Sequence, residues 1–160
     1  MLSASSPRGL LAFALNAPRW LYHLHLGWLL GHRFLLLTHR GRRTARVYNT
    51  VLEVVRYDPA PRESVVVSGW GDRADWYLNL KEISALAIET GGERYMPNQR
   101  FLTPDEVYEA LRDYLCRNRW ATGIVRRLFG LRFDGSDGDQ ARIQDLRGIA
   151  FRPAGPRADT

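Results

Sequence analysis

The sequence predicts one α+β domain organised around a mainly antiparallel sheet. Its 160 residues are the length of a single ordinary domain, and no repeat or linker divides them. Runs rich in β-branched and aromatic residues are joined by short turns instead of crossover helices, which is the pattern of hairpins. After the last of these runs, Thr103-Pro104-Asp105-Glu106 has the form of a capping box with proline at the first helical position.

In chain order, Pro18 and Gly31 bracket an apolar helix of about a dozen residues, with proline as starter and glycine as stop. Phe34 to Thr38 and Val47 to Tyr57 form a hairpin around the turn Arg40-Gly41-Arg42-Arg43. Asp58-Pro59-Ala60-Pro61 breaks the chain, and Ser64 to Ser68 is a third, buried strand. Asp75 to Glu82 is a short helix capped by its first residue. Ser84 to Thr90 is a fourth strand, Gly91-Gly92 a two-residue turn, and Glu93 to Leu102 a fifth strand. Pro97 places that strand at an edge or a bulge. A helix runs from the capping box to about Asn118, with Val107, Leu111, Tyr114 and Leu115 on one face. A second helix spans Trp120 to Phe129, Asp134 to Asp139 is a flexible acidic loop, and Ile149-Ala150-Phe151 is the last strand.

Charge is unevenly distributed. Residues 1–50 hold seven arginines and no acid, while the remaining 110 hold 16 basic and 17 acidic groups. The net charge of +6 therefore originates in the first third, which points to a polyanionic partner: a phosphorylated cofactor, nucleic acid or an anionic membrane. The longest uncharged stretch there, Trp20 to His32, is too short for the roughly 20 apolar residues of a membrane span. The apolar segment 10–37 packs on the domain or lies on a membrane surface. The lone Cys116 excludes a disulfide framework and fits a reducing, cytoplasmic setting, with the thiol packed inertly in its helix.

Several motifs carry little. Gly69-Trp70-Gly71-Asp72 outlines a dinucleotide fingerprint, but its helix is short and its aspartates would face the pyrophosphate. His23, His25, His32 and His39 lack a carboxylate or thiol among them and read as surface or core-edge residues, so no metal is expected. Asp134, Asp137 and Asp139 miss calcium-loop spacing and read as a solvated turn. Residues 104–129 would build a helix–turn–helix, yet nothing marks a base-reading helix, and nucleic acid is not an expected partner.

Two segments carry more. Gly41-Arg42-Arg43-Thr44 sets two guanidinium forks and a hydroxyl on a tight turn, a fit for phosphate or carboxylate. Asp75-Trp76-Tyr77-Leu78-Asn79-Leu80-Lys81 begins a helix with adjacent large aromatics, suited to flooring a planar ring or to simple core packing. In order and spacing, Leu35-Leu36-Leu37-Thr38, Gly41-Arg42-Arg43-Thr44, Val65-Val66-Val67-Ser68 and Trp76-Tyr77-x-Asn79-Leu80-Lys81 resemble the deazaflavin-dependent nitroreductase family.

That resemblance implies a split β-barrel with an N-terminal helix and C-terminal helices. Residues 1–32 would be the apolar helix, 33–102 the barrel core, 103–152 the helices and last strand, and 153–160 a frayed tail. It implies hydride transfer from reduced coenzyme F420 to a hydrophobic acceptor such as a quinone, nitroaromatic or activated alkene. Arg42, Arg43 and Thr44 would hold the cofactor's phosphate and oligoglutamate tail, and Asn49 and Thr50 would line the deazaflavin. Ser68 and Gly69 would bond the ring or ribityl chain, and Trp76, Tyr77 and Asn79 would complete the pocket. Tyr77, Tyr48 and His39 are all candidates for an acid. The chain departs from the family pattern at Ala45, where glycine is usual, at Val47-Tyr48, where a Pro-Arg pair is frequent, and at Gly69, where lysine is common. These departures leave FMN or haem as alternative cofactors, and a non-catalytic carrier of the same fold as the alternative function.

Overall fold

The structure, a computed structural model, describes residues 27–69, 73–119, 123 and 137–155. Most of the expected N-terminal helix and of the helix from Trp120 to Phe129 lies outside them. A 3-10 turn at Gly27–Leu30 ends at Gly31, whose φ of +54° favours glycine. It leads into β1 (Phe34–Arg40), β2 (Val47–Asp58) and β3 (Glu63–Ser68). Helix α1 (Asp75–Glu82), β4 (Ala87–Thr90), β5 (Glu93–Tyr95), β6 (Pro97–Phe101), α2 (Pro104–Arg117), α3 (Asp137–Ile143) and β7 (Arg147–Pro153) follow.

The strand order is β5-β4-β1-β2-β3-β7-β6, and every pairing is antiparallel. The two ends of that order are consecutive in sequence and separated only by Met96. The chain thus leaves β4's side as β5 and enters β7's side as β6, which brings the sheet edges together into a nearly closed, split barrel. Pro97 opens β6 opposite Pro153, so neither residue brings an amide hydrogen to the ladder at that rung. The fifth strand expected from Glu93 to Leu102 is therefore two strands. The fourth begins at Ala87 and not at Ser84, because the amide of Ala85 is taken by the Gln99 side chain at 2.9 Å.

Two apolar clusters lie on opposite faces of the sheet. Leu35, Leu37, Val54, Val66, Leu80, Ile88, Ile149 and Phe151 fill the interior. Val55, Val65, Ala150, Ile143 and Leu146 pack under the Val107, Ala110, Leu111, Tyr114 and Leu115 face of α2. Strands β3 and β7 are covered on both sides, which explains their continuous apolar runs. The capping box at Thr103 and Glu106 is complete in both directions.

Other expectations need correction. Asp75 does not cap α1: Ala74 is the N-cap, with no side-chain cap bond, and the Asp75 carboxylate meets Arg42 instead. The supposed acidic loop is helical from Asp137 on and Asp139 is buried, because Ile143 and Leu146 anchor this segment under α2. Cys116 is exposed, one position beyond the buried face of α2. Leu35 and Leu37, at the end of the apolar segment 10–37, are fully enclosed in the interior, and residues 10–26 of that segment lie outside the described residues.

Candidate functional site

Antiparallel connectivity gathers the chemistry-bearing residues at one end of the barrel. The β1–β2 hairpin tip, the end of β3 at Ser68, the start of β7 at Arg147 and the start of α1 all lie there. The tip carries Arg40, Arg42, Arg43 and Arg46. Its backbone is tight: Ala45 N bonds Gly41 O at 2.9 Å, and Gly41 N bonds Arg46 O at 2.8 Å. A Cβ on Gly41 would sit 2.8 Å from both Thr44 Oγ1 and a ring carbon of Tyr48, so a larger residue there would have to displace those side chains. Ala45 adopts φ +56°, a left-handed conformation costly for a residue with a Cβ.

Asn79, buried on α1, organises the site. Its Oδ1 accepts from the Arg42 backbone N–H and from Arg42 Nη1, each at 3.0 Å. Arg42 Nη1 also reaches Asp75 Oδ1 at 3.1 Å, and its side chain is only 15% exposed. With Oδ1 committed to donors, the Asn79 amide nitrogen faces His39 Nδ1 at 3.2 Å and must donate to it. The His39 proton therefore resides on Nε2, which donates to Thr50 Oγ1 at 3.0 Å. Burial lowers the His39 pKa, in keeping with this neutral form.

Arg42, Asn79, His39 and Thr50 thus form one hydrogen-bonded series from the tip to the barrel interior. Cross-strand register puts His39, Tyr48 and Thr50 on the face of Leu37, while Thr38 and Asn49 lie on the other and bond to each other at 2.9 Å. Asn49 and Thr50 accordingly point to opposite faces. Thr44 Oγ1 lies 3.1 Å from Tyr48 Oη at the exposed rim. Arg43 and Arg46 are exposed, and their guanidinium groups have no partner among the described residues. Ser68 is buried at the end of β3 with Gly69 exposed beyond it. Trp76 is half-buried, whereas Tyr77 belongs to the interior cluster and packs edge-on to Phe101 at 5.6 Å.

Of the three candidate acids, only Tyr48 presents its ring at the surface. Sequence reasoning gave no structural part to Asp75 as partner of Arg42, or to His39 as the link between Asn79 and Thr50. The second was available from alternation, since Leu35, Leu37 and His39 occupy every other position of one strand.

The family model described as F420H(2)-dependent quinone reductase matches residues 25–124. No curated protein matches the chain. Among solved structures, an F420-H2 dependent reductase, FDR-A, is 15% identical, with 75% of this chain and 94% of that chain covered and a TM-score of 0.47. A protein of unknown function from Agrobacterium tumefaciens is 15% identical with a TM-score of 0.50, covering 97% of this chain and 60% of that one. A chain described as a domain-swapped dimer is 13% identical, covers 88% and 99%, and also has a TM-score of 0.50. At these identities the last two likenesses concern the fold.

Proposed function

The chain belongs to the F420H(2)-dependent quinone reductase family, and on that premise we propose that it reduces a hydrophobic quinone with its cofactor held at the hairpin end of the barrel. The carrying observation is the arginine tip: Arg42 is fixed by Asn79 and Asp75, while Arg43 and Arg46 are exposed and unpaired among the described residues. Such a donor set fits a polyanionic cofactor tail: Arg42 is pre-oriented, and Arg43 and Arg46 bring two further guanidinium forks for phosphate and carboxylate oxygens.

When bound, the reduced deazaflavin supplies the hydride. The protein's own contributions are positional. Arg42, Arg43 and Thr44 would hold the phosphate and the charged tail. Thr50, on the inner face beside His39, and Ser68, at the end of β3, would offer hydroxyls to the ring or ribityl chain. Tyr48 and Phe101 are exposed and Trp76 half-exposed, aromatic surface at this end of the barrel that suits a quinone and would also admit nitroaromatics or activated alkenes. Tyr48 Oη is the accessible hydroxyl able to donate a proton to the reduced acceptor. Tyr77 instead serves packing, and Asn79 positions Arg42.

Titration of the protein with oxidised coenzyme F420, with FMN and haem in parallel, tests the reading. Saturable F420 binding weakened by salt and by Arg42→Ala with Arg43→Ala is expected, the loss being about tenfold or more. Unchanged affinity in that double variant, or preference for FMN or haem, would overturn it.

A further inference from the structure

A cleft of about 460 Å³ lies between β2, the 3-10 turn and the C-terminal end of α2. It is bordered by Arg33, Arg56 and Arg117 together with His32, Tyr57 and Tyr114. The β strands run away from the hairpin tip before reaching it, so it is distinct from the site described above.

Arg56 reaches this cleft because of an irregularity in β2. The β2–β3 register shifts between Val54 and Arg56. Val54 pairs with Val66 of the interior, and Arg56 pairs with Val65, which belongs to the cluster under α2. Strict alternation would have sent Arg56 inward. The bulge instead turns it to the α2 side, a known way of re-aiming a side chain. Arg56 has no hydrogen-bond or ion-pair partner among the described residues.

Among the described residues, Arg117 is held by backbone carbonyls. Its Nε donates to Asp113 O at 3.2 Å and its Nη2 to Val55 O at 3.0 Å, so two of five N–H donors are used there and none of these partners is a carboxylate. Glu53, whose carboxylate lies 3.9 Å from Arg33, accepts from Tyr114 Oη at 2.6 Å. Among the described residues, Arg56 and Arg117 are thus two guanidinium groups at the cleft that meet no carboxylate. His32 stacks on Tyr57 with ring centroids 3.8 Å apart and planes 7° from parallel, forming a flat apolar wall beside them.

We propose that this cleft binds a phosphate monoester, whose near-dianionic charge matches the Arg56 and Arg117 guanidinium groups and whose oxygens match their two forks. The phosphate would come either from a soluble ester or from a phosphorylated lipid headgroup, given the apolar segment that precedes Leu30. The arrangement does not depend on the cofactor site.

The test uses the full chain, inorganic phosphate and phenyl phosphate as calorimetric probes, and sedimentation with vesicles containing phosphatidic acid. With the hairpin's own phosphate contacts removed by Arg42→Gln and Arg43→Gln, adding Arg56→Gln and Arg117→Gln should weaken the phosphate ligands at least tenfold further while thermal unfolding stays cooperative. Arg56→Lys should recover part of the affinity. Co-sedimentation lost in the cleft variant identifies the lipid source, and phenyl phosphate binding without vesicle binding identifies the soluble one. Phosphate affinity unchanged by the cleft substitutions in that hairpin background, or already absent from the background, would overturn the proposal.

Discussion

Replacing Asn79 by leucine removes three hydrogen bonds from a residue that is 4% exposed. Two of them, from the Arg42 amide and to His39 Nδ1, are neutral and contribute about 1 kcal/mol each. The bond from Arg42 Nη1 is charge-assisted, but the guanidinium keeps Asp75 and some solvent, so about 1 kcal/mol is the appropriate share. Leucine restores a few tenths through helix propensity and some apolar burial. A net loss of about 2 kcal/mol is expected, read as a lower urea midpoint at unchanged m-value. Asn79→Asp separates hydrogen-bond chemistry from packing. It retains the Arg42 contacts but presents an acceptor to His39 Nδ1, which then favours a proton there. In the native protein His39 titrates below its ordinary 6.5. Unfolded chains therefore bind that proton first, and stability declines as the pH falls from 6.5 through the lower folded value. In Asn79→Asp the His39 pKa should rise, and this acid-side loss should shrink. Urea titrations at pH 8 and pH 5.5, with the His39 ring followed by NMR, measure both. A loss under about 0.5 kcal/mol in Asn79→Leu, or no rise of the His39 pKa in Asn79→Asp, would refute Asn79 as organiser of the site.

Two further substitutions probe the frame around it. Ala45→Gly relieves a left-handed φ of +56° and should stabilise the hairpin tip by about 1 kcal/mol, raising the thermal midpoint by a few degrees. Thr103→Ala removes the cap of α2 and should cost about 1 kcal/mol in denaturant melts, with cofactor affinity unaltered.

Local rules carried much of this fold in the sequence. Thr103 to Glu106 names its own helix start, Gly91-Gly92 its own turn with both φ values positive, and the apolar run Phe34–Thr38 its own strand. Non-local choices were not legible in the same way. Whether residues 93–102 stay with one neighbour or change partners at Met96 depends on β7, about fifty residues later. The bulge at Val55 is set by packing under α2 and leaves no turn residue as a marker. At the site, the arginine cluster was visible, but its ordering was not: Asn79 lies 37 residues from Arg42, and only the fold brings them together. Tyr77 shows the converse, an aromatic beside the expected pocket that the helix turns into the core.

The position of β7 between β3 and β6 has a consequence for how the chain is made. β1 to β5 pair among themselves and are complete once residue 95 has emerged from the ribosome. The outer edge of β3 stays open and β6 stays unpaired until residues 147–153 arrive to join them. The half carrying the arginine tip can thus assemble early, while the nascent chain stays open to wrong strand pairings until its penultimate stretch is synthesised. A premature stop after α2 would leave the cationic hairpin encoded and the barrel unclosed.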